Sequence, residues 1–221
     1  MPRGQPDYGV YEPPAIAKQT IWVDDFEAPI LKWVAAISGG GVLPILTTTI
    51  AFQGIQCVYF DAPIGALSAS YIYRRFPLLK TGKVGFEVFV CGTTETQGYI
   101  YLRANISDGV NQTGAEWRID TTNYSIAILS GGVAHPIATD IFAKTGSRYF
   151  LPVKIVADTI SDYYTDLIVG PDSYDLSSYP LEAVGGPGNK LILVTIGVSG
   201  HLAAVDSKAY ADNFILTQNE P

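Results

Sequence analysis

The feature that most constrains this chain is the spacing of its apolar residues between residues 21 and 217. β-Branched and aromatic residues recur there in short runs, which Gly, Pro, Asn, Asp and Ser separate. This spacing is typical of many strands joined by turns. No segment has the 3.6-residue apolar period of a convincing amphipathic helix. The pattern predicts roughly 11–14 strands, which suits two packed antiparallel sheets.

Strict alternation within two segments predicts which side chains face the interior. In residues 83–91 the apolar positions lie on one face, as expected of a strand that buries only one side: Val84, Phe86, Val88 and Val90. In residues 99–106 the predicted interior positions are Ile100, Leu102, Ala104 and Ile106. The opposite face of that second strand then consists of Tyr99, Tyr101, Arg103 and Asn105.

Three further segments extend this all-β interpretation. Trp117 and Ile119 alternate with polar neighbours, and a turn at residues 121–123 predicts a hairpin with the next strand. Residues 151–157 and 191–198 are nearly continuous apolar runs. Runs of this kind predict central strands that are covered on both sides.

The length of the chain favours one domain after an N-terminal arm. A β-sandwich can reach about 200–250 residues as a single unit, and this chain has 221 residues. Residues 1–20 are rich in proline and have no apolar periodicity, which predicts an extended arm. We therefore divide the chain into an arm at 1–20 and a sandwich at 21–221.

The charge of the chain disfavours two classes of partner. The net charge is −7, and the 14 Lys and Arg residues are scattered, whereas nucleic acid binding requires clustered basic residues. Anionic membranes are disfavoured for the same reason, and no apolar run approaches the roughly 18–20 residues of a spanning helix.

The first residues lack the apolar segment of a secretory signal.

The two cysteines, Cys57 and Cys91, allow two interpretations. Both lie in predicted strands, where they could be buried thiols or could form one bridge across the sandwich. Two cysteines are too few for a disulfide-stapled scaffold and do not match a structural zinc site.

Three stretches together resemble a known fold family. Residues 22–27 with 31–33 (W-V-D-D-F-E and L-K-W) resemble the opening strand of concanavalin A-like jelly rolls. Residues 149–158, 163–169 and 174–176 resemble three successive strands of laminin-G-like domains, and residues 210–216 resemble their closing strand. The resemblance implies an all-β, two-sheet antiparallel jelly-roll sandwich whose first and last strands lie side by side.

The termini resemble a second group, the uncharacterised proteins of phages and viruses from thermophiles. The matching residues are Arg3, Gly4 and 6–9, then 24–27 with Lys32 and Trp33, then 217–221. This resemblance implies a structural role on a virion or another extracellular surface, as a homo-oligomer or in contact with a capsid protein.

Three carboxylates match positions that hold structural calcium in related jelly rolls, namely Asp25, Glu27 and Asp212. Calcium prefers several carboxylate and carbonyl oxygens. Asp212 has the strand parity of Phe214, so we expect its carboxylate on the core side. The alternative is that the three carboxylates accept hydrogen bonds from turn amides and hydroxyls. No other cofactor is expected.

The predicted outer face with Tyr99, Tyr101, Arg103 and Asn105 has two interpretations. Aromatic rings stack on sugars while charges and amides bind hydroxyls, so this face could bind a glycan, with Glu116, Arg118 and Asp120 alongside. It could equally be a solvated or subunit-facing surface with cross-strand pairs.

The motifs for catalysis are missing from the sequence. Glucanases of this fold have an E-x-D-x-x-E strand that places acids on one face, and the chain has no such strand. Hydrolase, zinc-protease and phosphate-loop motifs are missing as well. We therefore expect a protein that is not an enzyme.

The arm is the expected assembly element. Proline fixes φ and reduces the entropy lost when an extended segment docks. Pro6, Asp7, Tyr8 and Tyr11 are the residues expected to contact a neighbour, with the tyrosines as anchors. The alternative is a frayed terminus. The leading hypothesis is a virion assembly module, and the second is a carbohydrate-binding module.

Overall fold

The computed structural model describes residues 20–63, 68–77, 82–93, 98–141, 149–185, 189–200 and 206–220. These residues form strands and connecting turns, with no helix among them. The arm residues Pro6, Asp7, Tyr8 and Tyr11 lie outside the described residues. The strands, in chain order, are β1 Thr20–Asp24, β2 Val34–Ser38, β3 Val42–Thr47, β4 Cys57–Ala62, β5 Ala69–Pro77, β6 Lys83–Gly92, β7 Gly98–Ser107, β8 Gln112–Asp120, β9 Ser125–Ser130, β10 Val133–Ala138, β11 Leu151–Asp158, β12 Tyr163–Val169, β13 Asp172–Asp175, β14 Glu182–Ala183, β15 Leu191–Gly200 and β16 Ser207–Gln218.

Two antiparallel sheets of eight strands each form the sandwich. Sheet A has the order β13-β12-β11-β6-β16-β4-β3, and β1 pairs with β16. Sheet B has the order β10-β9-β8-β7-β15-β5-β2, and β14 pairs with β8. The predicted all-β jelly-roll sandwich is confirmed, as is the adjacency of the first and last strands. Short strands such as the two-residue β14 raise the number above the expected 11–14.

The core lies between the sheets and follows the predicted alternation in β7. Ile100, Leu102, Ala104 and Ile106 are all buried in it. The hairpin of β8 and β9 also forms as predicted, with Trp117 paired to Ile128. The two apolar runs become β11 and β15, each inside its sheet with a strand on both sides. β11 is buried on both faces as predicted, whereas the outer face of β15 is only partly buried. The sequence pattern therefore correctly assigned the inner face of sheet B.

The prediction that residues 83–91 bury only one side is wrong. Val84, Phe86, Val88 and Val90 face the core, but Glu87, Phe89 and Cys91 on the outer face are buried as well. A loop between β3 and β4 covers part of this outer face, since the Phe52 ring stacks on the Phe89 ring at 4.3 Å. The loop supplies an apolar contact that alternation along β6 cannot reveal.

Both cysteines are buried thiols on sheet A. Cys57 is in β4 and Cys91 is in β6, and β16 lies between these two strands. Neighbouring strands are about 4.8 Å apart, so the two Cα atoms are farther apart than the roughly 7 Å limit for a disulfide. The thiol of Cys57 donates instead to the carbonyl of Ile50 at 2.9 Å. The interpretation as buried thiols is the one that the structure supports.

Within the described part of the chain there is no helix that is long and apolar enough to cross a membrane.

Candidate functional site

The polar residues of β7 lie on the outer face of sheet B. Alternation places Tyr99, Tyr101, Arg103 and Asn105 opposite the buried apolar residues of the same strand. The register with β8 sets Asp120 beside Tyr99, Arg118 beside Tyr101 and Glu116 beside Arg103. The structure therefore brings together all seven residues that the sequence placed on this face.

A buried carboxylate organises two guanidinium groups on this face. Glu116 is only 2% exposed. Its two carboxylate oxygens accept hydrogen bonds from Nε of Arg103 and Nε of Arg118. Burial would lower the pKa of Arg103, but the hydrogen bond and charge of Glu116 raise it above its usual value. Both arginines are thus held in fixed orientations, and the terminal N–H groups of each guanidinium can serve other acceptors.

Tyr71 and Tyr73 of β5 extend the face. Strand β15 lies between β7 and β5. In β15, Gly197 pairs with Tyr101 of β7 on one side and with Tyr71 of β5 on the other. A Cβ atom at position 197 would lie 2.5 Å from the Cβ of Tyr71, so only glycine fits at this position. Burial raises the pKa of the Tyr101 phenol, which therefore stays protonated and able to donate a hydrogen bond. We name the surface formed by Tyr71, Tyr73, Tyr99, Tyr101, Arg103, Glu116 and Arg118 the tyrosine–arginine face.

A pocket of about 160 Å³ lies at one end of this face. Its walls come from β7, β8, β9 and β14, and they include Arg103, Asn105, Leu129 and Glu182. The Oδ1 atom of Asn105 is buried, with no hydrogen-bond partner among the described residues. Gly114 keeps the pocket open, because a Cβ atom there would lie 3.4 Å from that oxygen and 2.7 Å from a methyl group of Val184.

Strand β14 forms the far wall of the pocket. Glu182 pairs with Gly114 of β8, and its Oε2 accepts a hydrogen bond from the amide of Gly132 at 2.9 Å. Sequence reasoning missed Glu182, Gly114 and Tyr71. Alternation around Ile72 could have placed Tyr71 on an outer face, but the contact between β14 and β8 depends on long-range pairing, for which the sequence has no local signal.

Tyr164 connects the two sheets directly behind this site. It belongs to β12 of sheet A and is fully buried. Its hydroxyl accepts the amide N–H of Glu116 at 3.0 Å and donates to the carbonyl of Leu129 at 2.6 Å. The hydroxyl is therefore inserted between β8 and β9, just beyond the point where Trp117 pairs with Ile128. This insertion fixes the backbone at Glu116 and at one wall of the pocket.

The three predicted calcium ligands bind backbone amides on the side of the other sheet: Asp212 is in β16, and Asp25 and Glu27 directly follow β1. Asp25 accepts the amide N–H of Glu27 at 3.1 Å. Glu27 Oε1 accepts those of Ile55 at 2.8 Å and Gln56 at 3.0 Å. No group of three potential metal ligands is found within the described residues. These contacts match the alternative in which the carboxylates anchor turns, and calcium binding stays a prediction.

The expected core-side position of Asp212 is wrong. A register shift occurs between Asp212 and Ile215, and Asn213 has a positive φ of 45°. This bulge reverses the parity, so Ala211 and Phe214 both face the core and Asp212 faces outward. Asp212 is nevertheless 0% exposed.

The loop between β3 and β4 covers Asp212. Its Oδ2 accepts the amides of Phe52 at 2.8 Å and Gln53 at 3.2 Å. Burial raises the pKa of Asp212, and the amides of Gln53 and Phe52 lower it in part. The carboxylate therefore fastens the loop that buries the outer face of β6.

Solved structures with similar folds include a glucuronan lyase, a carbohydrate esterase and a lectin. No protein-family model and no curated protein matches the sequence. An endo-β-1,4-glucuronan lyase from the fungus Trichoderma reesei has a TM-score of 0.58 at 9% identity, covering 90% of this chain and 95% of that one. A carbohydrate esterase from Shiga toxin-encoding bacteriophage phi24B has a TM-score of 0.55 at 11% identity, covering 85% and 90%. Lectin I-B4 from Griffonia simplicifolia has a TM-score of 0.50 at 13% identity, covering 84% and 93%. At these identities the comparison shows the fold alone, and it confirms the concanavalin A-like sandwich.

These structures correct the prediction that the chain is not an enzyme. That prediction was based on a missing glucanase strand and other missing motifs. The same fold occurs in a lyase and an esterase, so neither the fold nor the missing motifs exclude catalysis. The prediction was therefore wrong to exclude an enzyme.

Proposed function

We propose that this domain binds carbohydrate on the outer face of sheet B. One sugar ring would occupy the pocket between Arg103 and Glu182, and adjoining rings would lie across the tyrosines of the tyrosine–arginine face. The observation on which the proposal depends is the buried, unpartnered Oδ1 of Asn105 in the pocket wall. A buried acceptor without a donor costs about 1–3 kcal/mol, which a sugar hydroxyl would recover.

The size and chemistry of the pocket support one sugar ring. Sites for drug-sized ligands measure roughly 300–1,000 Å³, whereas this pocket measures about 160 Å³. Its walls offer donors from Arg103 and acceptors from Asn105 and Glu182, and a sugar hydroxyl can both donate and accept. Aromatic rings such as Tyr101 provide apolar surface for the C–H faces of neighbouring sugars.

The charges near the pocket favour an uncharged glycan. Glu116 balances the charges of Arg103 and Arg118, and the charge of Glu182 also acts on Arg103. The chain as a whole has a net charge of −7, which repels polyanions at low ionic strength. The ligand class that we propose is therefore a neutral polysaccharide.

Affinity electrophoresis against a panel of soluble polysaccharides tests this proposal. We expect retardation by at least one neutral glycan, and loss of that retardation in Asn105→Ala and in Tyr101→Ala. Tyr163→Ala is the matched control, because Tyr163 is also part-exposed but lies at the start of β12 in sheet A. Retardation that survives both face substitutions would contradict the proposal. The same samples are monitored for shortening of the polysaccharide, which would extend the proposal from binding to catalysis.

A second candidate function is assembly on a virion or another extracellular particle. The arm at residues 1–20 would dock the domain on a neighbouring subunit. One specific observation favours this candidate: β2 and β3, at one side of the sandwich, contain no charged residue. The resemblance of the termini to proteins of phages and viruses from thermophiles supports it as well. Static light scattering tests it, since an intact chain that stays monomeric at all concentrations would contradict homo-oligomeric assembly.

A further inference from the structure

Strands β2 and β3 form one open side of the sandwich. β2 is the last strand of sheet B, and β3 is the last strand of sheet A. A glycine turn at residues 39–41 joins them, so the two sheet edges are adjacent. Among the described residues, neither strand has a partner on its far side. We name this surface, residues 34–47, the β2–β3 side.

The β2–β3 side lacks the charged side chains that usually protect sheet edges. Natural proteins blunt edges with charged side chains, proline or bulges. The opposite edge of sheet A follows this rule, because β13 carries Asp172 and Asp175. The β2–β3 side has Pro44 and a register irregularity between Val42 and Ile45, but it has no charged side chain. Its large apolar side chains are roughly half exposed: Val34, Ile37, Val42, Leu43 and Ile45. Such an uncharged apolar patch indicates an interaction surface.

We infer that the β2–β3 side is the surface on which the N-terminal arm of a second copy docks. The inference rests on the assembly candidate above and identifies the acceptor surface and its occupant. Nineteen residues precede Thr20, where β1 begins. Fully extended, they would reach about 60 Å, which is enough to cross to a neighbouring molecule.

The composition of the arm fits this acceptor. In residues 1–19 the two cationic side chains, Arg3 and Lys18, balance the two anionic ones, Asp7 and Glu12. The net charge of −7 therefore belongs to the rest of the chain, and the arm can approach a second copy without like-charge repulsion. Its apolar residues include Tyr8 and Tyr11, which can bury large area at low entropic cost. Since Pro44 removes one backbone donor from β3, side-chain burial dominates the contact there.

The path of the chain into β1 favours a neighbour over the arm's own sandwich. β1 pairs with residues 214–217 of β16, whereas β4 pairs with residues 207–211 of the same strand. β3 lies on the far side of β4 in sheet A. Thr20 lies opposite Thr217, so the preceding chain approaches from the end of β16 that is farther from β3.

Two variants and their mixture test the inference by light scattering. Deletion of residues 1–19 removes the occupant, and the double variant Val42→Lys with Ile45→Lys removes the acceptor. We expect the intact chain to be an oligomer and each variant to be a monomer. The mixture of the two should associate again, because one member retains the acceptor and the other retains the arm. Circular dichroism establishes that each variant keeps its β structure.

Val133→Lys is the matched control. Val133 is 56% exposed, as is Ile45, but it lies in β10 at the opposite edge of sheet B, so the oligomer should persist. A monomeric intact chain would overturn both the inference and homo-oligomeric assembly. If the oligomer persists after the deletion but is lost in the double variant, homo-oligomeric assembly is supported and the proposed role of the arm is overturned. An oligomer that survives the double variant, or two monomers that fail to associate when mixed, would overturn the proposed acceptor.

Discussion

Replacing Tyr164 by phenylalanine removes a single oxygen that joins the two sheets behind the pocket. That oxygen accepts the N–H of Glu116 and donates to the carbonyl of Leu129. Both are backbone groups of paired strands, and phenylalanine can satisfy neither of them. The apolar packing of the ring is kept, so the effect isolates the hydroxyl.

The magnitude follows from the two backbone groups left without a partner. Each buried unsatisfied group costs about 1–3 kcal/mol, so we expect the free energy of unfolding to fall by about 3 kcal/mol. For a domain of 150–250 residues, 1 kcal/mol corresponds to roughly 2–4 °C in Tm. The expected decrease in Tm is therefore about 6–12 °C.

Urea denaturation and calorimetry measure both quantities. Tyr163→Phe is the matched control, because the neighbouring tyrosine is part-exposed and we expect its stability to stay within about 0.5 kcal/mol of the original. The same variants are tested for glycan binding, where Tyr164→Phe should weaken retardation by loosening Glu116. A loss below about 1 kcal/mol for Tyr164→Phe would refute the view that its hydroxyl replaces a strand-to-strand contact.

Three further predictions concern the carboxylates of the chain. Burial raises the pKa of Glu87, with Lys154 lowering it and Glu220 raising it. The stabilising contribution of protonated Glu87 is therefore present below its ordinary pKa of 4.5 and is lost as pH rises through the higher folded-state pKa. Glu87→Gln should raise the Tm at about pH 8 and leave it nearly unchanged at about pH 4, and equal shifts at both pH values would contradict this. Asp212→Ala should release the loop between β3 and β4, seen as faster hydrogen exchange at the amides of Phe52 and Gln53, whereas unchanged protection would show that Asp212 does not hold the loop. Calcium binding by Asp25, Glu27 and Asp212 predicts that a chelator lowers the Tm, and an unchanged Tm would contradict it.

Alternation along single strands was sufficient to predict two packed sheets and the polar half of the site, whereas the jelly-roll arrangement was implied by the resemblance to concanavalin A-like domains. The buried set around Leu102 and the outward-facing set around Arg103 follow directly from the two-residue period of β7. That period also placed Glu116 alongside this face, whereas its pairing with Arg103 depends on the register between β7 and β8, which alternation alone does not give. Local information therefore placed most of the tyrosine–arginine face.

The errors arise where long-range contacts override local periodicity. The parity of Asp212 fails because Asn213 forms a bulge with positive φ, a conformation that residue identity alone does not predict. The one-sided burial expected for β6 fails because a loop more than thirty residues earlier in the chain stacks Phe52 on Phe89. Glu182 forms a wall of the pocket because the two-residue strand β14 pairs with β8, which is distant from it in the chain. Each of these features becomes visible only once distant segments are in contact.

The most direct test of the account is a map of protected amides in the presence of a neutral glycan that retards the protein. If the ring enters the pocket, hydrogen exchange should slow at residues 103–105, 114–116 and 182–184, while sheet A stays unchanged. Protection confined to sheet A or to the β2–β3 side, with no change around Asn105, would contradict the proposal that the domain binds carbohydrate on the outer face of sheet B.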